Sequence, residues 1–180
     1  MAVIRAQLAH IGIYVHDKPR MIDFYTSVLG LMVTDSGVAR SGMDLAFLSA
    51  NPGNHHQVVL VSGRPDTSGF NPINQLSFIV GSLGELRETH RRALEKGATD
   101  MRTINHGNAW SCYFKDPEGN VLETYLDTPF HVPQPHGNPL DLTQSDEEIL
   151  KGTEAVCRQD SGFMPIGQYQ ASMTEALRRP

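Results

Sequence analysis

Residues 106–126 read HGNAWSCYFKDPEGNVLETYL. Ala109–Phe114 and Asn120–Leu126 have the aromatic and β-branched content of two strands, and Asp116, Pro117 and Gly119 supply a tight turn between them. The strands carry a phenol, Tyr113, and an acid, Glu123, among apolar neighbours. A carboxylate inside Val-Leu-Glu-Thr-Tyr-Leu is costly to bury without compensation. A cation is the expected partner, and it needs further ligands. The turn is expected to aim Glu123.

Working back from this stretch, Thr99–Thr103 reads as a strand. It is preceded by a helix, LGELRETHRRALEK, which starts at a capping box (Ser82 and Glu85) and ends at Gly97. Gln75–Val80 (QLSFIV) reads as a strand before that helix. The order is strand, helix, three strands. The first half has the same order. Ala6–Val15 (AQLAHIGIYV) is a strand with His10 inside it. Pro19 suits the first turn of a helix that ends at Gly30. Leu31–Thr34, Asp44–Ser49 and His56–Ser62 are three further strands. Laying LAHIGIYV on INQLSFIV sets His10 against Gln75. Laying NPGNHHQVVL on DPEGNVLETYL sets Gln57 against Glu123.

The expected fold is therefore α+β: two tandem βαβββ modules, about 5–63 and 72–128, within one domain over residues 1–128. From Asp127 the character changes. HVPQPHGNPLDL is Pro-rich and reads as extended. Ser145 and Glu148 then form a capping box for DEEILKGTEAVCR, and TEALRR reads as a last short helix. This tail, 129–180, is expected to pack on the core or on a partner subunit in a homo-oligomer, and to carry no chemistry.

A chain of 180 residues with a net charge of −5 has no electrostatic footprint for nucleic acid and no basic run for a membrane surface. Its two cysteines, Cys112 and Cys157, match no zinc spacing and read as reduced thiols of a cytoplasmic protein.

The duplicated unit resembles the vicinal oxygen chelate superfamily of glyoxalases, fosfomycin and bleomycin resistance proteins, and extradiol dioxygenases. The resemblance covers about residues 5–128. It implies a cup-shaped mixed sheet whose first and fourth strands carry metal ligands, here His10, Gln75 and Glu123. FLSANPGNHHQVVL resembles the extradiol segment with paired histidines. TINHGNAWSCYFKDPEGNVLE resembles the segment with a His-Gly, a Tyr-Phe and the ligating Glu. Members close to this pattern are small extradiol ring-cleavage dioxygenases of aromatic catabolism.

The resemblance implies Fe(II) held by two histidines and a carboxylate, with a small aromatic diol and O2 as substrates. His56 would serve as base and then proton donor, and His106 and Tyr113 would donate hydrogen bonds to the substrate's oxygens. Gln75 stands where an extradiol enzyme has His. Its amide oxygen suits Mn(II) or another divalent ion better than iron. Two other readings stay open. One is a glyoxalase-type isomerase or lyase, for which a base is wanted on a first-module strand where this chain has Gln57. The other is a binding protein of the bleomycin-resistance kind. Plainer readings stand beside each residue: His10 as a core histidine, Glu123 in an ion pair, His55 and His56 as a surface pair, and Tyr113 as lining. Gln57 reads as structural, and His136 has no assigned role.

Overall fold

The computed structural model describes residues 6–66, 69 and 71–178. Residues 1–5, where the first module was expected to begin, and Arg179 of TEALRR lie outside the described residues. The chain divides into two compact units. The first runs up to Asn74 and adds Arg92–Thr99 and Lys115–Val121; the second holds Gln75–Arg91, Asp100–Phe114 and everything from Leu122.

In the first unit, β1 (Ile11–Val15) leads into α1 (Lys18–Leu29). The Asp17 side chain caps α1 by accepting from the Arg20 N–H, and Gly30, at φ 69°, closes it in the left-handed conformation. Met21, Phe24, Tyr25 and Val28 recur at helical spacing and are buried. Strands β2 (Met32–Val38), β3 (Asp44–Ser49) and β4 (Val58–Ser62) follow, and the sheet order is β1-β4-β3-β2. β1 runs parallel to β4, with Ile11 opposite Val58; the other pairs are antiparallel.

The turn at Lys115–Val121 belongs to this unit. Asp116 accepts from the N–H groups of Glu118 and Asn120, and Tyr25 donates its hydroxyl to the same carboxylate at 3.3 Å. Glu118 accepts from the N–H groups of His16 and Asp17 and pairs with Arg64.

The second unit repeats the plan. β5 (Leu76–Ile79), α2 (Leu83–Glu95), β6 (Thr99–Asn105), β7 (Ala109–Lys115) and β8 (Val121–Asp127) follow in order. β5 runs parallel to β8, with Ser77 opposite Glu123. β9 (Phe130–His131) lies outside the main sheet, which with β10 (Asn138–Pro139) added from the tail reads β10-β6-β7-β8-β5. The expected capping box of α2 is shifted. Ser82 accepts from the Glu85 N–H, but the Glu85 carboxylate reaches the N–H of Gly81.

The rest of the tail is α3 (Asp146–Cys157), β11 (Met164–Pro165) and α4 (Ile166–Arg178). The box at Ser145 and Glu148 forms as expected. Phe130, Val132, Cys157 and Phe163 make a small apolar cluster, and β9 pairs with β11. Arg87 of α2 anchors the tail by donating to the carbonyls of Leu142 and Gln144 and pairing with Asp146. Both cysteines are free and buried.

The architecture is α+β with two βαβββ modules, as the sequence implies. Several boundaries differ, among them β2, which runs to Val38 and not to Thr34. Residues 6–10 lie outside β1, because their alternation does not bury: Leu8 is 91% exposed. β4 starts at Val58, which leaves His56 in the preceding turn. α4 begins eight residues before TEALRR.

Candidate active site

In the second unit, β8 places Glu123 at 7% exposure among buried Leu122 and Thr124. Ser77 faces it across the parallel ladder and donates its hydroxyl to Glu123 Oε2 at 2.5 Å. The Gln75 amide Nε2 donates to the same oxygen at 2.7 Å and to Ser77 Oγ at 3.0 Å. Three neutral groups, Ser77, Gln75 and the Tyr113 phenol, thus hydrogen-bond this buried carboxylate.

Tyr113 projects from β7 and is 6% exposed. Burial, together with the neighbouring Glu123 carboxylate, pushes its phenol up to about 12. The Arg102 guanidinium lies 4.6 Å from the centre of its ring. His106 sits in the loop after β6, which turns through Gly107 at φ 75°. Asn105 pins that turn by accepting from the Gly107 N–H. His106 Nε2 is 3.0 Å from the Tyr113 hydroxyl. Gln75, Ser77, Glu123, Tyr113 and His106 line one cleft of about 390 Å3, together with Asn108, Tyr125, Asp127 and Gln134.

In the first unit, His10 and His56 lie side by side, with ring centres 4.2 Å apart. His55 Nδ1 is 3.0 Å from His56 Nδ1, and Phe47 packs edge-on against both rings of the pair. Partial burial lowers the His56 pKa, and the His10 and His55 charges lower it further. Both causes favour the neutral imidazole. Gln57 is structural: its side-chain oxygen accepts from the Ala50 N–H, and its backbone joins β1 to β3.

The structure thus gathers Gln75, Glu123, Tyr113 and His106 in the second unit, and His10 with His56 in the first. His10 is exposed and precedes its strand. Among the described residues, no group of three or more His, Cys, Asp or Glu side chains is placed to hold a metal ion. The ladders also correct one correspondence. Ile11 opposes Val58 and Leu76 opposes Leu122, so the counterpart of Glu123 is Val59, not Gln57.

Ser77 was missed, although it lies two residues from Gln75 on the same strand face, a period-two signal. Gln134 and His136 of the tail were also missed, and no local pattern marks them. The tail was expected to carry no chemistry, yet Gln134 lines the cleft and the His136 carbonyl holds His106 at 2.7 Å.

The sequence model of the Glyoxalase/Bleomycin resistance protein/Dioxygenase superfamily matches residues 7–124. The chain belongs to this superfamily. Two superfamily relatives from Rhodococcus globerulus are similar to it. Biphenyl-2,3-diol 1,2-dioxygenase 3 is 28% identical over 136 residues, spanning 73% of this chain and 68% of the relative. Biphenyl-2,3-diol 1,2-dioxygenase 2 is 27% identical over 150 residues, spanning 76% of each. A glyoxylase/bleomycin resistance protein/dioxygenase domain from Frankia sp. EAN1pec superposes with a TM-score of 0.58 at 22% identity, covering 69% of this chain and all of that one. The fosfomycin resistance protein FosX of Mesorhizobium loti gives 0.55 at 20% identity, covering 69% and 94%. At these identities the structural likeness is one of fold. Among the described residues, no helix is long and apolar enough to cross a membrane.

Proposed function

We propose that this superfamily member is an extradiol-type ring-cleaving dioxygenase acting on a catecholic aromatic with O2. The observation that carries the reading is the Glu123–Tyr113–His106 array in one cleft, in a chain whose dioxygenase relatives align over about three-quarters of its length. In this reading the Tyr113 phenol stays protonated at any working pH and turns its one proton from His106 to a substrate oxygen. His56, whose surroundings favour the neutral imidazole, is the residue this reading assigns as base and then proton donor. Arg102, by covering the Tyr113 ring, holds the phenol in place.

Within the second unit, Gln75 and Glu123 are the residues that would hold a divalent ion. An amide oxygen and a carboxylate fit such an ion, with Mn(II) suited at least as well as Fe(II) by these harder donors. When bound, the ion supplies Lewis-acid polarisation of the diol and, as iron, access to O2. Gln75 would have to turn its oxygen toward the ion, away from its present hydrogen bond with Glu123.

The test is anaerobic reconstitution with Fe(II) or Mn(II), then addition of a catechol panel that includes 2,3-dihydroxybiphenyl under oxygen. The expected result is oxygen uptake matched by a yellow ring-opened product. A folded, metal-loaded protein that consumes no oxygen with any member of the panel refutes the proposal. The Gln75–Glu123 hydrogen bond favours a second reading, a binding protein that sequesters a small aromatic without turnover. Protein purified without oxygen exposure would then hold no stoichiometric metal and still bind the aromatic. Val59 at the first-module position where a glyoxalase-type base is wanted weighs against the isomerase reading.

A further inference from the structure

Both ring nitrogens of His106 are engaged within the second unit. Nδ1 lies 2.7 Å from the backbone carbonyl of His136, and Nε2 lies 3.0 Å from the Tyr113 hydroxyl. A carbonyl oxygen only accepts, so the proton must sit on Nδ1. A neutral ring then has its lone pair at Nε2, facing the Tyr113 hydroxyl, which also hydrogen-bonds the Glu123 carboxylate.

The carbonyl that makes this choice is itself held. Gln134 Nε2 donates to the His106 carbonyl at 2.8 Å and to Asn108 Oδ1 at 3.2 Å, while its Oε1 accepts from the His136 N–H at 3.1 Å. One side chain therefore ties the His-Gly loop to the tail segment beside it. Asn138 Nδ2 donates to His136 Nε2 at 3.0 Å and fixes the other end. The approach is close: a Cβ on Gly107 would lie 2.5 Å from Val132 Cγ2.

We propose that the tail segment from Gln134 to Asn138 positions the site by holding His106 as its Nδ1–H tautomer, so that an imidazole acceptor and not a donor faces Tyr113. Gln134 and His136 act through His106 and are positioning residues. His106 then orients the Tyr113 hydroxyl, a different task from donating to substrate. The cleft's importance rests on the proposed dioxygenase reading, but the tautomer does not depend on it.

The test is a long-range proton–nitrogen correlation on the full chain labelled at histidine nitrogens, recorded above pH 8. His106→Gln assigns the signal by its loss. The expected spectrum shows Nδ1 protonated and Nε2 bare. In Gln134→Ala, the ratio of Nδ1–H to Nε2–H tautomers should fall about tenfold, the scale of one hydrogen bond. Asn138→Ala should shift the ratio in the same direction and serves if Gln134→Ala does not fold. An Nε2–H ring in the wild type, or a ratio unmoved in a folded variant, overturns the proposal. Absence of catechol turnover with the expected tautomer present would remove the dioxygenase reading alone.

Discussion

The hydrogen bond between Gln75 and Glu123 can be weighed by a double-mutant cycle. Glu123 is nearly buried, and Gln75 Nε2 donates to its Oε2 at 2.7 Å, beside the donation from Ser77. A hydrogen bond to a charged group is worth about 1.5–3 kcal/mol net, against about 1 kcal/mol for a neutral one. Gln75→Ala deletes the donor and leaves the carboxylate with Ser77 and Tyr113. Glu123→Ala deletes the charge. The double variant removes both and cancels what each loses separately. The coupling from urea unfolding at pH 7 in the presence of a chelator should be about 1.5–3 kcal/mol. Glu123→Ala alone should also cost packing, which the cycle subtracts. A coupling below about 0.5 kcal/mol would mean that the carboxylate is solvated or compensated by another group, and the account of its burial given above would fail.

Two further outcomes follow from local geometry and burial. Gly30 and Gly107 share a left-handed φ (69° and 75°), but a Cβ on Gly30 meets nothing within 4 Å whereas one on Gly107 meets Val132 and Cys157. Gly30→Ala should therefore cost about 1 kcal/mol, the conformational penalty alone, and Gly107→Ala about 2–5 kcal/mol through added overpacking; equal losses in thermal unfolding would contradict the close approach. The raised Tyr113 pKa gives an alkaline prediction. Below pH 10 the phenol is protonated in both folded and unfolded chains. Between pH 10 and about 12 the unfolded chain loses its proton first, so stability falls by at most about 3 kcal/mol across that window. Tyr113→Phe should remove this part of the slope, measured as the wild-type minus variant difference in urea midpoints from pH 9 to 12.

Much of the fold was legible because its punctuation is local. Gly30, the Ser145–Glu148 box and the Asp116 turn act within four or five residues, and each lies where the sequence placed it. The repeat was legible as well, because strand and helix periods recur in both halves. What failed was what depends on pairing. His10 reads as a strand residue until Leu8, two positions back, proves to face solvent. The match of Gln57 to Glu123 rested on turn residues, and the ladders shift it to Val59. Of the site, Glu123, Tyr113 and His106 could be picked out from one stretch. The hold of the tail on His106 could not, since Gln134 and His136 act through amide and backbone groups 28 and 30 residues away.

In each module the first strand lies parallel to the fourth. Ile11 meets Val58 and Leu76 meets Leu122, separations of 58 − 11 = 47 and 122 − 76 = 46 residues. Such distant pairings carry a loop-closure cost before they give any return, and chains that depend on them fold slowly. During synthesis the amino-terminal sheet can zip up while the second module is still in the exit tunnel. Its unit is finished only when 92–99 and 115–121 emerge. Between those two moments a nascent chain would display a formed but half-covered sheet, the stage at which a chaperone or a neighbouring nascent copy would find it.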